Sequence, residues 1–403
     1  AEEITKTRDV NFLNSINGKT AGVETKKSSS GAGGSTKVVL RGNKSLNGDS
    51  TPLFVIDGIP LANNRAGQPG MWGGTDSGDG LSALNPDDIA SISVLRGANA
   101  AMLYGSAGAN GVILITTKQG KSGKTTVSFN TGITFENIIE LPDLQFKYGA
   151  IDGAKESWST TPGDYADNYV EDFFQTGQNV INSISISGGN DKTTAYFSYS
   201  NTSATGITPS NTYSRNNISL KQSTKLLKDK LTISSNVILS LENSKNRLPS
   251  GYYLNPITGL YMYPRERNFE NDRINFEIFD TSRNLWAQNW FVSDHHQSNP
   301  YWIINNQPRT QDNQRVIASL SLNYQIAEKL NLQVRGNYDY GNVTREQQHA
   351  ATSNSTNVHP NGSWGYTKYE DKLAYTDAIL NYDSKIGESF SLTALLGASY
   401  QKT

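Results

Sequence analysis

The chain has 403 residues, with 36 Lys and Arg against 37 Asp and Glu, and no cysteine. This balance excludes a bulk electrostatic attraction to nucleic acid, and the lack of thiols excludes both a disulfide framework and a thiolate metal site. Aromatic residues form 10% of the chain beside many Asn, Ser, Thr and Gly residues, which predicts a mainly β fold. No run of about 18 apolar residues occurs, so a transmembrane helix is excluded, whereas barrel strands that alternate apolar and polar residues stay compatible with the composition.

Residues 1–120 are predicted to form one small mixed domain. A helical turn is expected at residues 11–16, a strand at 37–41 and a hairpin around an Asp-Gly step at 52–59. An extended run at 89–95, a small-residue helical turn at 98–103 and an apolar strand at 112–117 are expected after them. Three glycines, Gly105, Gly108 and Gly111, separate the last two elements. Because glycine tolerates positive φ and close backbone approach, this spacing predicts compact packing of strand against turn.

After residue 121 the hydrophobic pattern has a period of two. Val316, Leu320 and Tyr324 belong to an apolar set on even positions, and polar residues such as Arg315 and Gln325 hold the other parity. Nine such strands are predicted, at residues 124–137, 179–189, 192–203, 212–223, 229–243, 314–326, 329–344, 369–384 and 388–401. Strands of about 9 to 11 residues with one apolar face and one polar face are typical of a transmembrane β-barrel.

The connections between these strands alternate in length. Long loops are predicted at residues 138–178, 244–313 and 345–368, and they belong outside the cell, because barrel turns on the periplasmic side are short. A wall of nine strands with an open edge leaves lipid-facing backbone groups unpaired, and plugged barrels have about 22 strands. We therefore expect an N-terminal part of a longer polypeptide, with the C-terminal strands of the same barrel as its partner.

Several motifs carry a family resemblance. LNPDDIASISVLRG and YGSAGANGVILITTK, within residues 83–121, resemble the plug-domain signature of TonB-dependent outer-membrane transporters of the SusC/RagA branch. LRGNKSL at residues 40–46 and TPLFVIDGIPL at residues 51–61 resemble the same branch, in the same order. The resemblance implies a mainly β protein: a small α+β plug at residues 1–120 inside a large antiparallel transmembrane barrel, whose N-terminal portion is residues 121–403.

The resemblance also implies a function in the outer membrane of a bacterial cell. The protein would be a carrier without enzymatic activity, catalytic residues or a cofactor, surrounded by outer-membrane lipid. It would import a large nutrient, an oligosaccharide or an oligopeptide, under a SusD-like surface lipoprotein that acts as a lid, and TonB would pull the plug to open a path. Two alternatives stay open: a TonB-dependent receptor for a siderophore or metal chelate, and a non-transporting scaffold or adhesin on the same fold.

Tryptophans in the predicted loops are the candidate substrate-binding residues. Trp72, Trp286, Trp290 and Trp364 can stack on sugar rings or grip a peptide, and they can equally pack the loops or form an interfacial girdle. Trp302 lies in the segment SNPYW, which resembles a recurrent SusC-type segment just before a strand, and for this residue packing is favoured.

Three charged residues, Arg41, Asp57 and Arg96, lie in the plug motifs. By resemblance they could form plug-to-barrel polar contacts that loosen during transport, and ion pairing inside the plug is an equal alternative.

No metal site is predicted. Asp76 and Asp79, in the segment DSGDG, are spaced like part of a calcium loop, but the remaining ligands are missing and a solvated loop is favoured. The side chains of His295 and His296 diverge because the residues are adjacent, which favours surface residues over metal ligands.

Overall fold

The computed structural model describes residues 9–43, 50–61, 68–151, 155–160, 162–165, 168–294, 297–356, 358–386 and 390–403. The N-terminal part of this range contains one helix, α1 (Ala98–Tyr104), and short 3-10 turns at Phe12–Ile16, Gly80–Ala83, Pro86–Asp88 and Gly105–Gly108. Its strands are β1 (Val23–Lys27), β2 (Thr36–Leu40), β3 (Leu53–Ile56), β4 (Ile59–Pro60), β5 (Ile89–Leu95) and β6 (Val112–Thr117). Each element predicted for this part of the sequence is present within a few residues of its expected position.

These strands form two small sheets. β1 pairs with β2, and the other four lie in the order β4-β3-β6-β5, with β3 parallel to β6. The predicted Asp-Gly hairpin joins β3 and β4. Gly111, just before β6, has φ +98°, and a Cβ there would lie 2.5 Å from Cδ1 of Leu40. This glycine therefore serves both purposes expected of it, a positive φ and close packing.

A nine-stranded antiparallel sheet follows. Its first five strands are β7 (Gly123–Glu136), β8 (Gly177–Gly189), β9 (Thr193–Thr205), β10 (Thr212–Leu226) and β11 (Leu231–Lys245). After a separate hairpin of β12 (Glu277–Asp280) and β13 (Leu285–Gln288), it continues with β14 (Arg309–Ala327), β15 (Leu330–His349), β16 (Ser363–Ile386) and β17 (Phe390–Lys402). The sheet order is β17-β16-β15-β14-β11-β10-β9-β8-β7. The mainly β prediction and the nine strands are thus confirmed.

The lengths predicted for β15 and β16 were wrong, because both strands extend into the loop that was predicted to connect them. β16 has 24 residues, and its pairing with β15 runs without a break from Leu330↔Tyr382 to His349↔Ser363. Much of the loop predicted at residues 345–368 is therefore strand. The sequence concealed this extension because beyond an apolar band both faces of a strand are polar, so the alternation stops while the backbone pairing continues.

The two faces of the wall differ as predicted. Leu320, Tyr324 and Tyr338 on one face are 47%, 38% and 48% exposed. On the other face, polar residues such as Arg215 and Asp339 are buried against the N-terminal domain. We call this buried side the inner face. Among the described residues, no helix is long and apolar enough to cross a membrane.

The long connections lie at one end of the wall, here called the loop side, and they are structured. They contain α2 (Tyr169–Asp172), α3 (Pro256–Tyr261), α4 (Phe269–Ile274) and α5 (Pro300–Asn306). Residues from separate connections form one aromatic cluster around Tyr169, Tyr263 and Phe269. Asn299 is the N-cap of α5, because the Asn299 side chain accepts a hydrogen bond from the amide of Tyr301. Pro300 lies in the first turn of this helix.

Candidate functional site

The contact between the N-terminal domain and the inner face, which we call the plug seam, is largely polar. Arginines of the wall, and Arg247 in the connection after β11, donate to main-chain carbonyls of the domain: Arg215 to Val10 (3.0 Å) and Ser82, Arg247 to Asp76 (3.0 Å), Arg315 to Gly80 (2.6 Å) and Arg335 to Gly58 (3.1 Å). The wall thus supplies charged donors and the domain supplies backbone acceptors. Two apolar wall residues, Ile238 and Ile317, also join the hydrophobic core of the domain.

Two of these arginines are held by carboxylates on the neighbouring strand. Arg315 forms two hydrogen bonds with Asp339, at 2.8 and 2.6 Å, and Arg335 contacts Asp377 with a closest distance of 2.6 Å. Bidentate pairs of this kind fix the guanidinium plane. Each pair therefore neutralises its charge within the wall and aims one remaining N–H at the domain.

The domain contributes carboxylates in return. Asp57, in the β3–β4 turn at φ 49°, accepts hydrogen bonds from Lys221 of the wall at 2.9 Å and from the hydroxyl of Thr117 at 2.5 Å. Asp88 accepts hydrogen bonds from Tyr196 at 2.8 Å and Ser198 at 2.7 Å, both on β9. Acidic groups of the domain thus meet donors of the wall along the seam.

The other two predicted polar contacts lie elsewhere. Arg41 is exposed at φ 60°, and its amide donates to the carbonyl of Gly22 at 2.9 Å. Arg96 donates to the carbonyl of Ala21. A Cβ on Gly22 would lie 3.6 Å from Arg41 Cγ and 3.9 Å from Arg96 Nη1, so the two arginines meet at the same turn of the domain. In the described part of the chain, Asp57 is the one of the three that contacts the wall.

A loop of the domain pairs with the connection that follows β11. The amides of Ser250, Tyr252 and Tyr253 donate to the carbonyls of Gly74, Met71 and Trp72 at 3.0, 2.9 and 3.2 Å. The ring of Trp72 stacks on the ring of Tyr253 at 6.1 Å and lies edge-on to the ring of Tyr252 at 6.0 Å. The residue is 59% exposed. We call residues 70–76 with residues 247–253 the apical clasp.

The other candidate tryptophans have separate partners. Trp286 lies edge-on to Phe279 at 5.5 Å and is 57% exposed. Trp364 stacks on Tyr366 at 6.0 Å and is 62% exposed. Trp290 packs in the aromatic cluster of the connections, 4.6 Å from Phe291. The structure does not gather the four residues into one patch, but Trp72, Trp286 and Trp364 are each more than half exposed.

Trp302 has a packing role. It is 1% exposed, and its indole N–H donates to Ser353 at 2.9 Å.

Two of the cavities along the seam are lined by charged residues described above. The larger, about 420 Å³, lies between residues 77–83 of the domain and the inner face at Glu242, Arg315, Asp339 and Arg345. The smaller, about 130 Å³, is lined by Asp57, Lys221 and Arg335 on the side of the short turns. Charged and amide side chains contribute to the lining of both cavities.

The carboxylates of Asp76 and Asp79 are used inside the domain. Asp76 accepts hydrogen bonds from the amide of Ser35 at 2.7 Å, from Gln68 at 2.9 Å and from the amide of Gly78 at 2.8 Å. Burial opposes ionisation of Asp76, but hydrogen bonds from Ser28, Ser35 and Gly78 outweigh it and hold the pKa of this carboxyl below its ordinary value.

Asp79 accepts hydrogen bonds from Asn11 and from the amides of Thr36, Leu81 and Ser82. Among the residues described, no group of three His or acidic side chains is placed to hold a metal ion. His295 and His296 lie outside the described residues.

Sequence reasoning missed the arginines of the seam. Their signal was available, since Arg315, Arg335 and Asp339 stand on the polar parity of their strands. A charge that faces the inside of a barrel wall needs a partner, and the cross-strand register Arg335↔Asp377 supplies one. The carbonyl partners in the domain have no equivalent signal, because every residue has a carbonyl.

The chain is similar to known proteins in both sequence and fold. Residues 1–112 match the family model of the TonB-dependent receptor plug domain. The chain is 31% identical over 257 residues to the "TonB-dependent receptor SusC" of Bacteroides thetaiotaomicron, an alignment that covers 61% of this chain and 24% of the relative. It is 28% identical over 409 residues to the "TonB-dependent receptor P26" of Formosa agariphila, covering 96% of this chain and 37% of the relative.

A solved structure has the same fold. The RagAB peptide importer in its closed-closed state superposes with a TM-score of 0.74 at 19% identity, covering 99% of this chain and 46% of the solved chain. The present chain thus spans less than half the length of each of these proteins. The N-terminal domain is the plug of this architecture, and the nine-stranded sheet corresponds to part of its barrel.

Proposed function

We propose that this chain, a SusC/RagA-like TonB-dependent transporter in its sequence and fold, serves to import a large nutrient across the bacterial outer membrane. The nutrient would be an oligosaccharide or an oligopeptide. The chain covers only part of the length of its relatives. Import is therefore proposed for the whole protein of which this chain forms a part, by analogy with the family of those relatives.

The plug seam is the observation that carries the proposal. Wall arginines hold the plug through its backbone carbonyls, and Arg315 and Arg335 keep their own carboxylate partners within the wall. When the plug leaves, water can replace each carbonyl, and no wall carboxylate of these pairs loses its partner. Hydrogen bonds exchanged for bonds to water have a small net cost, about 1 kcal/mol each. Such a seam is suited to opening and closing repeatedly.

The remaining parts of the mechanism belong to the proposal as well. TonB, driven by the inner-membrane proton gradient, would pull on the N-terminal segment of the plug and break the seam. A SusD-like surface lipoprotein would cover the loop side and hold the cargo against the connections and the plug top. The exposed side chains of Trp72, Trp286 and Trp364 support this placement, because aromatic rings on the loop side can stack on sugar rings or hold a peptide.

A cross-link across the seam tests the proposal. Asp87 of the plug accepts a hydrogen bond from Ser183 of the wall, and the chain has no cysteine of its own. In the full-length protein, Asp87→Cys with Ser183→Cys, closed by oxidation or by a short thiol cross-linker, is expected to abolish TonB-dependent nutrient uptake. Reduction of the link should restore uptake.

A matched cross-link within the wall is the control. Ser223 and Ser234 face each other across β10 and β11, with their hydroxyls 3.0 Å apart. Cysteines at these two positions leave the plug free, so uptake should continue after oxidation. Uptake that is equally fast with the seam linked, or that does not need TonB, would contradict the proposal and favour a scaffold or adhesin. TonB-dependent uptake of a ferric chelate alone would favour the siderophore alternative.

A further inference from the structure

Two isoleucines interrupt the polar inner face of the wall. Ile238 on β11 and Ile317 on β14 are direct partners across the two strands. Because side chains of a strand return to the same face every second residue, their nearest inner-face neighbours on these strands can be read from the sequence. These neighbours are polar on both sides of the pair: Ser240 and Asn236 on β11, and Arg315 and Ser319 on β14. We call Ile238 with Ile317 the isoleucine pair.

The isoleucine pair packs into the core of the plug. The two residues are 5% and 7% exposed. They belong to the same buried cluster as Phe54, Leu81 and Ile115 of the plug. Apolar surfaces in contact exclude water, whereas a polar seam can exchange its hydrogen bonds with water. The plug seam is therefore dry at this pair.

Polar contacts hold the plug against the wall on both sides of the pair. Toward the loop side, Arg315 donates to the carbonyl of Gly80 at 2.6 Å. Toward the short turns, Arg335, which lies opposite Ser321 of β14, donates to the carbonyl of Gly58 at 3.1 Å. The plug thus meets the wall above and below the isoleucine pair, and the pair lies within the area that the seated plug covers.

The isoleucine pair lies between the two cavities of the seam. The cavity of about 420 Å³ is lined by Ser240 and Arg315, so on these strands it ends on the loop side of the pair. The cavity of about 130 Å³ is lined by Asn236 and Ser319, so it begins on the side of the short turns. Neither isoleucine lines either cavity. On β11 and β14, the contact between the pair and the plug core therefore separates the two cavities.

A third cavity continues in the same direction. It has about 530 Å³ and shares Gln333 with the cavity of about 130 Å³. Amide side chains of β14, β15 and β16 contribute to its lining: Asn323, Gln325, Asn331, Gln333 and Asn381. Within the described residues, no plug residue lines this cavity. Space with a polar lining therefore lies along neighbouring strands on both sides of the isoleucine pair.

We infer that the import path follows the inner faces of β11, β14 and β15, and that the isoleucine pair is the seal that closes this path to water and ions while the plug is seated. An apolar constriction can stop water and ions by dewetting. The pair also favours reseating, because apolar surface that meets water when the plug leaves is buried again when the plug returns. This assignment rests on the proposed function and names the place where the seam opens.

The test compares side chains of the same shape that differ in polarity. Ile238→Thr with Ile317→Thr places a hydroxyl where Ile238→Val with Ile317→Val has a methyl group. The ionic conductance of the purified full-length protein is measured in a planar lipid bilayer, without TonB and without cargo. The Thr variant is expected to conduct at least about tenfold more than the Val variant, because burying a hydroxyl without a partner shifts the closed seam toward opening by about that factor. The Val variant should conduct no more than the wild type.

Cysteine reporters locate the leak in the Thr variant. Asn313 and Ser321 lie four positions before and after Ile317 on the same face of β14, and they line the cavities of about 420 and 130 Å³. With Asn313→Cys or Ser321→Cys added, a charged methanethiosulfonate reagent should change the conductance. Ala318→Cys is the matched control, because its side chain lies on the opposite face of the strand and should leave the conductance unchanged.

The outcomes separate this assignment from the proposed function. Equal conductance in the Thr and Val variants would overturn the seal, and a leak that neither inner-face reporter alters would overturn the path. If the double Thr variant does not assemble, Ile317→Thr against Ile317→Val gives the same comparison. A leak in the Thr variant with no TonB-dependent nutrient uptake by the wild type would leave the seal standing and contradict import. TonB-dependent uptake by the wild type with a tight Thr variant would do the reverse.

Discussion

Lys221 of the barrel wall donates a hydrogen bond of 2.9 Å to Asp57 of the plug, and the two side chains are only 7% and 21% exposed. The plug residue sits in a turn at φ 49° and also accepts a hydrogen bond from the amide of Thr117 on β6. The contact therefore ties the conformation of a plug hairpin to the seating of the plug in the wall.

Removing the carboxylate should loosen the plug. Asp57→Asn removes the carboxylate that Lys221 contacts directly, and breaking one side of a buried pair costs about 3 to 5 kcal/mol. We expect faster proteolysis of the plug in detergent and greater permeability of cells to large antibiotics. Lys221→Met added to Asp57→Asn should recover part of the loss, because the ammonium that lost its direct partner is then gone. Strictly additive effects of the two substitutions would show that the residues act independently.

The exposed and packed tryptophans should respond differently to substitution. Trp286→Ala removes a ring that is 57% exposed, so assembly should stay intact while ligand affinity falls by about 1 kcal/mol or more, roughly fivefold. Trp290→Ala empties part of the aromatic cluster around Tyr263 and should lower the stability of the connections by about 3 kcal/mol. Calorimetric binding and thermal unfolding separate the two effects. Unchanged affinity in both variants would exclude this part of the connections from binding.

A single methyl group should open the apical clasp. Gly251 has φ +95°, and a Cβ there would lie 2.6 Å from the amide nitrogen of Gly73. Gly251→Ala therefore cannot keep the hydrogen bonds between residues 250–253 and the plug loop, and hydrogen exchange at residues 70–74 should rise about tenfold or more. Gly365→Ala is the control, since its nearest neighbour would be a carbonyl oxygen at 3.9 Å. Equal exchange in both variants would show that the clasp does not hold the plug loop.

Acid should weaken the top of the plug at a low pH. The pKa of Asp76 is depressed in the folded protein from its ordinary value of 3.8. A depressed carboxyl pKa adds stability above the unfolded value, and this stability is lost as pH falls through the folded value. Protection of residues 70–80 from hydrogen exchange should therefore stay constant from pH 8 to about pH 5 and decline below about pH 4.

Two controls accompany the acid titration. Asp76→Asn should lose about 1 to 3 kcal/mol of local stability at neutral pH, because an amide cannot accept all the hydrogen bonds that the carboxylate receives, and its remaining dependence on acid should be smaller. Added calcium or chelator should leave the wild-type protection unchanged, since plug donors occupy the carboxylate oxygens. A gain of protection with calcium would instead identify a metal site at Asp76 and Asp79.

Much of the architecture was readable from the sequence alone because it depends on local regularities. The alternation of Leu320 and Tyr324 with Arg315 and Gln325 shows which face of a strand is polar, since successive side chains of a strand point to opposite sides. The plug was readable from motifs, because turns such as the one at Gly111 restrict which residue can stand there.

The pairings that give the structure its functional character were decided only in three dimensions. Arg335 reaches the carbonyl of Gly58 across 277 residues, and nothing in the sequence marks that carbonyl among the others. Arg247 likewise reaches the carbonyl of Asp76 only through the position of the plug loop. Register and docking minimise the free energy of the whole wall and plug together, so contacts between distant segments cannot be derived from the segments one at a time.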